Sequence, residues 1–412
     1  MPPFKRSAAS KTAFMLALCI TLAAYGLPRT ACAKMPVLPP GARELTKACT
    51  FLTAGKHSPY DRLYDGSYAS AFAAVDGTLQ ITAPAGEQVA ALVLCFADDP
   101  KAWEIEVQTE SGGWQLLQSG ETAYAHVCMQ LPKPQSQALR VRVENAPLQL
   151  TELRVFTAGR LPDDVQRWQP TLGKADLLLL VGHPDDEFIF FGGCIPWYVA
   201  QQKRVLVAYM TCRSFTRRAE LLNGLWTAGI RHYPVIGPFR DRYTRSLGQM
   251  YDDWGQAEVD SFLIKLIRAH QPEVMVTHAT GGEYGHGAHR VCADAALRVF
   301  DKTADPLYMP QHTKVYGTWQ VKKLYLHLYP QNVLTMNWLR PIGDETALSI
   351  AQAAFAQHVS QQHFQVRDEE HPRYNGSLFG LAKTTVGPDA QQDDFFENIP
   401  PNSACTRAEG AN

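Results

Sequence analysis

The apolar run Leu177–Val181 ends in Gly182 and then meets His183, Pro184, Asp185, Asp186 and Glu187. A buried strand has no physical use for four ionisable groups at its end, whereas a metal site does. Catalytic zinc takes three nitrogen or carboxylate ligands and keeps one position for water. His183 and Asp186, three apart on a loop leaving a strand, can hold one ion together. The third ligand must come from elsewhere, and "GGEYGHGAHR" (281–290) offers His286 and His289, three apart at the entry to a helix. Either histidine completes a set with His183 and Asp186. Asp185 is then left beside the ion, where a general base for the attacking water belongs. The histidine that does not bind metal can protonate the leaving group or brace an oxyanion, and Tyr284 is a second candidate for bracing.

Each motif is weak alone. A single HxxH most often marks a helix-surface pair, and Asp-Asp a turn or cap. Asp252-Asp253 has no histidine partner and reads as a loop or cap; His232, His270, His327 and His371 read as structural or exposed. What joins the two clusters is the fold. Strand-like "LLLLVG" (177–182), "RVLVAYMT" (204–211) and "EVMVTH" (273–278) alternate with helix-like "RRAELLNGLWTAGI" (217–230), "QAEVDSFLIKLIRAHQ" (256–271) and "AHRVCADAALRVF" (288–300). That alternation predicts an α/β fold, a Rossmann-like, mostly parallel sheet with helices on both faces. Loops at the carboxyl ends of its strands build the site, and both His183–Glu187 and His278–His289 fall in such loops.

The preceding half has another period. From Cys49 to Phe156, about seven short segments rich in β-branched and aromatic residues are separated by Gly, Pro and Asp turns. They predict an antiparallel β-sandwich. Trp103, Trp114, Tyr64 and Tyr68 could stack on sugars there, and Asp61, Asp65, Asp98 and Asp99 could ligate calcium. The plainer reading is that the aromatics fill a core and the aspartates serve turns.

The expected organisation is a signal peptide over 1–33, a linker over 34–48, the sandwich over 49–158 and a linker over 159–175. The α/β domain follows over 176–383, with a tail over 384–412. The leader rests on basic Lys5, Arg6 and Lys11, an uncharged stretch from Thr12 to Leu27, and Ala31-Cys32-Ala33 as the cleavage pattern. It predicts export to a secreted or periplasmic location, with no stable membrane insertion of the mature chain. Cys49, Cys95, Cys128, Cys194, Cys212, Cys292 and Cys405 remain after cleavage, none in a CxxC pair. A thiolate zinc knuckle is therefore not expected, while Cys95 and Cys128 could form a disulfide. With 39 basic and 40 acidic residues, no global field attracts nucleic acid.

"HPDDE" after an apolar strand, then "GG", "RRAELLNGLWTAGI" and "GEYGHGAH" resembles the PIG-L/LmbE-like family of zinc-dependent N-acetylglucosamine deacetylases, and "AFAQHVSQ" (354–361) resembles a late helix of that family. The resemblance implies His183, Asp186 and His289 as zinc ligands, Asp185 as base and His286 as the second catalytic group. It implies Tyr284 as the residue polarising the amide carbonyl, and Arg217 or Arg218, with Glu220, as the helix beside the site that contacts substrate. Iron(II) fits the same ligands. The second motif departs from the family's usual His-Pro-Asp-His, since Gly287 and Ala288 fill its middle and an acid that would orient His289 is missing. The N-terminal half resembles galactose-binding-like, discoidin-type modules. Together these imply an exported zinc amidohydrolase removing acetyl from an N-acetylglucosamine-type sugar in a glycan or glycoconjugate. The rivals are the same machinery acting on another amide, such as a thiol conjugate, and a non-catalytic carbohydrate-binding protein.

Overall fold

Strict alternation of buried and half-buried residues along Trp103–Gln108 gives that strand one face for a core and one for solvent. Thr78–Thr82, in the same N-terminal half, repeats the alternation. In the computed structural model, the residues described are 40–400 apart from 121–123, 145–146, 213, 365 and 367–373. The expected leader, His371 and Cys405 lie outside them. The strands of this half are β1 (Thr50–Leu52), β2 (Phe72–Ala74), β3 (Thr78–Thr82), β4 (Val89–Phe96), β5 (Trp103–Gln108), β6 (Trp114–Gly120), β7 (His126–Gln135), β8 (Leu139–Val143) and β9 (Leu148–Phe156). They form two antiparallel sheets, ordered β1-β3-β8-β5-β6 and β2-β9-β4-β7. Leu92, Leu94 and Leu153 from the second sheet share one buried cluster with Ile81, Ile105 and Val141 from the first.

The aromatic and acidic residues noted in this half are mostly absorbed by packing. Trp103 is buried in that cluster, Tyr64 packs against it, and the Arg140 guanidinium covers Trp114 at 4.4 Å. Asp65 accepts from the Ser67 amide at 2.8 Å and the Ser70 hydroxyl at 2.6 Å, which is turn chemistry. Cys95 and Cys128 are both free. Cys128 lies opposite Val93 and Cys95 opposite His126. The two thiols are therefore diagonal neighbours, whose Cα atoms stand roughly 7–8 Å apart, beyond the reach of a disulfide.

Contacts tie this half to the next. Asp99 forms an ion pair with Arg218 at 2.8 Å. The Tyr233 hydroxyl accepts from the Ala125 amide at 3.0 Å, and Tyr124 stacks on the Tyr233 ring at 4.4 Å. Asp99→Ala leaves the Arg218 guanidinium, only 12% exposed, without its carboxylate. A stability loss of about 1–3 kcal/mol is expected, because a buried donor loses its partner. Chemical denaturation checks it, and an unchanged midpoint would show that the pair carries no stability.

All five residues of β10 (Leu177–Val181) are buried, as a strand covered on both faces requires. It is followed by β11 (Val205–Tyr209), β12 (Val235–Ile236), β13 (Val274–Thr277), β14 (Lys323–His327), β15 (Val333–Thr335), a small β16 (Pro341–Ile342) to β17 (Glu345–Thr346) hairpin, and β18 (Leu378–Thr384). The seven-stranded order is β12-β11-β10-β13-β14-β18-β15. The first five run parallel, and β18 pairs antiparallel with both β14 and β15. The helices are α1 (Asp186–Ile189), α2 (Cys194–Ala200), α3 (Phe215–Thr227), α4 (Leu247–Trp254), α5 (Gln256–His270), α6 (Gly287–Val299), α7 (Pro310–Tyr316) and α8 (Ala347–Phe355).

Leu177, Leu179 and Val181 pack with Ile195, Leu222 and Ala351 of α2, α3 and α8, while Leu178 and Leu180 pack with Leu263 and Val291 of α5 and α6. Helices therefore cover both faces, and the antiparallel edge is the part that strand–helix alternation did not announce. The order reverses between β10 and β13, which opens a crevice beyond their carboxyl ends. Asp252 and Asp253 lie in the last turn of α4, where Asp253 pairs with Arg242 at 3.4 Å. "AFAQHVSQ" is the end of α8 and a 3-10 turn, Val359–Gln361. Among the described residues, no helix is long and apolar enough to cross a membrane.

Candidate metal centre

β10 and β13 deliver the two polar clusters to the same crevice. Gly182, at the end of β10, is required by closeness, because a Cβ there would stand 3.0 Å from the His289 ring and 3.2 Å from Asp186 Oδ2. Asp186 Oδ2 accepts the His183 amide at 2.7 Å and lies 3.2 Å from both His183 Nδ1 and His289 Nε2. Those two nitrogens are 3.4 Å apart. Ligands of a tetrahedral zinc stand about 3.3 Å from one another, given bonds of about 2.0–2.1 Å. The three donors are thus spaced as one ion requires, and all three residues are buried.

Two other histidines come close enough to compete, and hydrogen bonding excludes both. His278 lies 3.6 Å from Asp186, but its Nε2 accepts the Gly182 amide at 3.0 Å, so that lone pair is already used. His286 Nδ1 accepts the Ala288 amide at 3.2 Å as the cap of α6. Neutral His286 then carries its proton on Nε2 and is a donor rather than a ligand. Burial first, and then the neighbouring His183 and His289, push its pKa down to about 3. Its ring centroid stands 4.6 Å from that of His183.

Asp185 stays out of the triangle. Its Oδ1 meets Arg217 Nη2 at 3.1 Å, and Arg217 also donates to the Pro184 carbonyl. Burial pushes the Asp185 carboxyl well above the usual range and the Asp186 charge adds to this, while Arg217 opposes it. Burial would raise Asp186 as well, but His289 and the hydrogen bonds from the surrounding histidines hold it well below. Adjacent carboxylates with pKa values pushed apart are a mark of divided labour, one group able to take a proton and the other fixed as an anion. Tyr284 is half-buried, with its ring 5.7 Å from His286 and 5.4 Å from His289. Arg218, one residue beyond Arg217, turns away to Asp99, and Glu220 accepts from Ser360 at 2.7 Å instead of facing the crevice.

The acid that "HGAH" lacks is supplied from five residues before Ala288. Glu283 Oε2 accepts from His289 Nδ1 at 2.8 Å and His278 Nδ1 at 2.7 Å; its Oε1 accepts from His327 Nδ1 at 2.6 Å. His327, expected to be without a partner, also donates through Nε2 to the Asn375 carbonyl at 2.9 Å. Burial alone would raise the Glu283 pKa, but the surrounding histidines hold it well below the carboxylate range. The middle glycine of "HGAH" has its own reason, since a Cβ on Gly287 would stand 2.8 Å from the Thr244 side chain. That Thr244 loop also brings Asp241 to 3.7 Å from His183 Nε2 and 3.6 Å from Arg217. No motif in the sequence marks Asp241. Glu283 could have been found from its place inside "GGEYGHGAH".

The stretch from residue 178 to residue 300, which carries all three donors, matches the family model "PIG-L: GlcNAc-PI de-N-acetylase". The match is confined to residues 178–300, less than half of the chain. Among curated relatives, the chain is 28% identical over 208 residues to a 1D-myo-inositol 2-acetamido-2-deoxy-α-D-glucopyranoside deacetylase 1 of Catenulispora acidiphila, covering 42% of this chain and 62% of that one. A deacetylase of the same description from Geodermatophilus obscurus is 28% identical over 203 residues, covering 41% and 67%. The chain thus spans less than two thirds of the first relative's length. A solved N,N'-diacetylchitobiose deacetylase from Pyrococcus horikoshii aligns at 19% identity and a TM-score of 0.35, over 45% of this chain and 71% of that one. The matched stretch holds His183, Asp185, Asp186, Glu283, Tyr284, His286 and His289, while His327 lies beyond it.

Proposed function

We propose that this chain is a zinc-dependent N-deacetylase acting on an N-acetylglucosamine-type sugar. The observation that carries the reading is the triangle of His183 Nδ1, Asp186 Oδ2 and His289 Nε2, with Asp185 beside it and outside it. The family description and the names of the relatives, which are sugar N-deacetylases, favour the acetamido sugar.

Bound by those three donors, zinc would supply Lewis-acid polarisation and lower the pKa of a coordinated water towards about 7. Asp185 takes the proton from the attacking water, and Arg217 keeps its carboxylate aimed into the crevice. The Nε2–H of His286 braces the oxygen on which charge develops, and the proton taken up by Asp185 passes on to the departing amine as the C–N bond breaks. Tyr284, on the same loop, polarises the amide carbonyl. Asp241 and Arg217, together at the mouth, are placed to hold the sugar. Iron(II) fits the same mixed nitrogen and oxygen donors. Export through the 1–33 leader and a carbohydrate-holding role for the galactose-binding-like half belong to the same proposal, with a glycan or glycoconjugate as substrate.

Elemental analysis of purified protein is expected to find roughly one divalent ion per chain, the stoichiometry of a mononuclear site. His183→Ala should abolish it. Retention of the full metal content by that variant would sink the ligand assignment.

A further inference from the structure

Asp185 has φ 107° and ψ −33°, a backbone conformation that a residue with a side chain holds only when its surroundings enforce it. Arg217 restrains the side chain. The backbone is restrained separately: the Asp185 amide donates to Glu187 Oε2 at 2.7 Å. Glu187 is fully buried, and its Oε1 lies 3.0 Å from Nε2 of His358, also fully buried, 171 residues further along the chain. The His358 ring sits among apolar neighbours, with its centroid 6.0 Å from Phe188 and 5.9 Å from Phe355. Room for it is made by Gly224 of α3, where a Cβ would stand 3.0 Å from His358 Nε2. A polar pair inside an apolar wall costs desolvation that well-packed hydrophobic residues would avoid. What this pair does is hold a carboxyl oxygen against the Asp185 N–H.

We propose that Glu187 and His358 are positioning residues for Asp185, with Glu187 fixing the backbone of the base and His358 fixing Glu187. The proposal rests on Asp185 being the base of the deacetylase described above. Partners of this outer kind typically contribute 10- to 100-fold. His358→Gln, which preserves most of the volume, and Glu187→Ala are therefore expected to lower kcat by about that factor, with KM and zinc content unchanged.

The decisive measurement is a double-mutant cycle with Asp185→Asn. If His358 acts through the base, His358→Gln costs little further kcat once Asp185 is Asn. The same factor in both backgrounds would overturn the proposal, since a merely structural loss is indifferent to residue 185. Amide hydrogen exchange of the zinc-loaded full chain supplies a readout independent of turnover. Exchange at the Asp185 amide should accelerate in both variants while the rest of α1 stays protected. Uniform acceleration along α1 would also overturn it. Selective release of that amide in a chain that deacetylates no sugar would instead reject the functional reading and leave the clamp standing.

Discussion

Asp185→Asn is expected to cut turnover by about 100- to 10,000-fold, the usual contribution of a general base, without loss of metal. The reason is geometric. Asp185 is paired with Arg217 and stands outside the donor triangle, so its amide replacement leaves every ligand in place. Asp186→Asn should instead lose both metal and turnover, with partial rescue by excess zinc, because Asp186 Oδ2 is the atom that meets both His183 and His289 at 3.2 Å. The pH dependence follows with a definite sign. As the proposed base, Asp185 works deprotonated, and Arg217 is the cation that opposes its raised pKa. Arg217→Gln should therefore move the acidic limb of kcat/KM to higher pH. Metal loss in Asp185→Asn with retention in Asp186→Asn would show the two roles reversed.

The second large effect concerns Glu283. Its two oxygens accept from His278, His289 and His327 at 2.6–2.8 Å, in a pocket where none of the four side chains is exposed. Glu283→Ala removes the acceptor facing Nδ1 of three buried imidazoles. Removing one partner from a buried, hydrogen-bonded charge network typically costs about 3–5 kcal/mol. His289, a proposed ligand, also loses the group that fixes its tautomer, an outer contact whose loss weakens metal binding about 10- to 100-fold. Both should be seen, the first in thermal unfolding of the metal-free protein and the second in a competitive zinc titration. Glu283→Gln, whose one carbonyl oxygen replaces only one of the two carboxylate oxygens, should fall between. Wild-type zinc affinity in Glu283→Ala would show that His289 needs no orienting acid.

Most of the centre was readable in the sequence because its two motifs are short and local. A strand ending in His-Pro-Asp-Asp and a helix opening on His-x-x-His announce their own positions, and strand–helix alternation placed both at one sheet edge. The supporting groups were not readable in this way. His327 comes from β14, which pairs beside β13, so its approach to Glu283 depends on strand order, which periodicity does not specify. Asp241 sits in an irregular loop with no motif, and His358 meets Glu187 only through the return of the chain after α8. Arg217 and Arg218 are neighbours of the same type on one helix. The ion pair with Asp99, in the other half of the chain, is what turns one away from the site. In the N-terminal half, "TLQITA", "WEIEVQT" and "ALRVRVE" declared themselves by alternation, whereas three-residue strands such as β1 and β2 are too short to show a period.

In the proposed function, a metal held by His183, Asp186 and His289 lets this chain hydrolyse the acetamide of an N-acetylated sugar. The most direct test is the release of acetate and free amine from N-acetylglucosamine oligosaccharides by protein stripped with chelator and then reloaded with zinc. Equal amounts of both products are expected from the zinc-loaded chain, none from the stripped chain, and recovery on adding zinc back. Undiminished product from the stripped chain, or none from a fully zinc-loaded chain across a panel of N-acetylated sugars, would contradict that function.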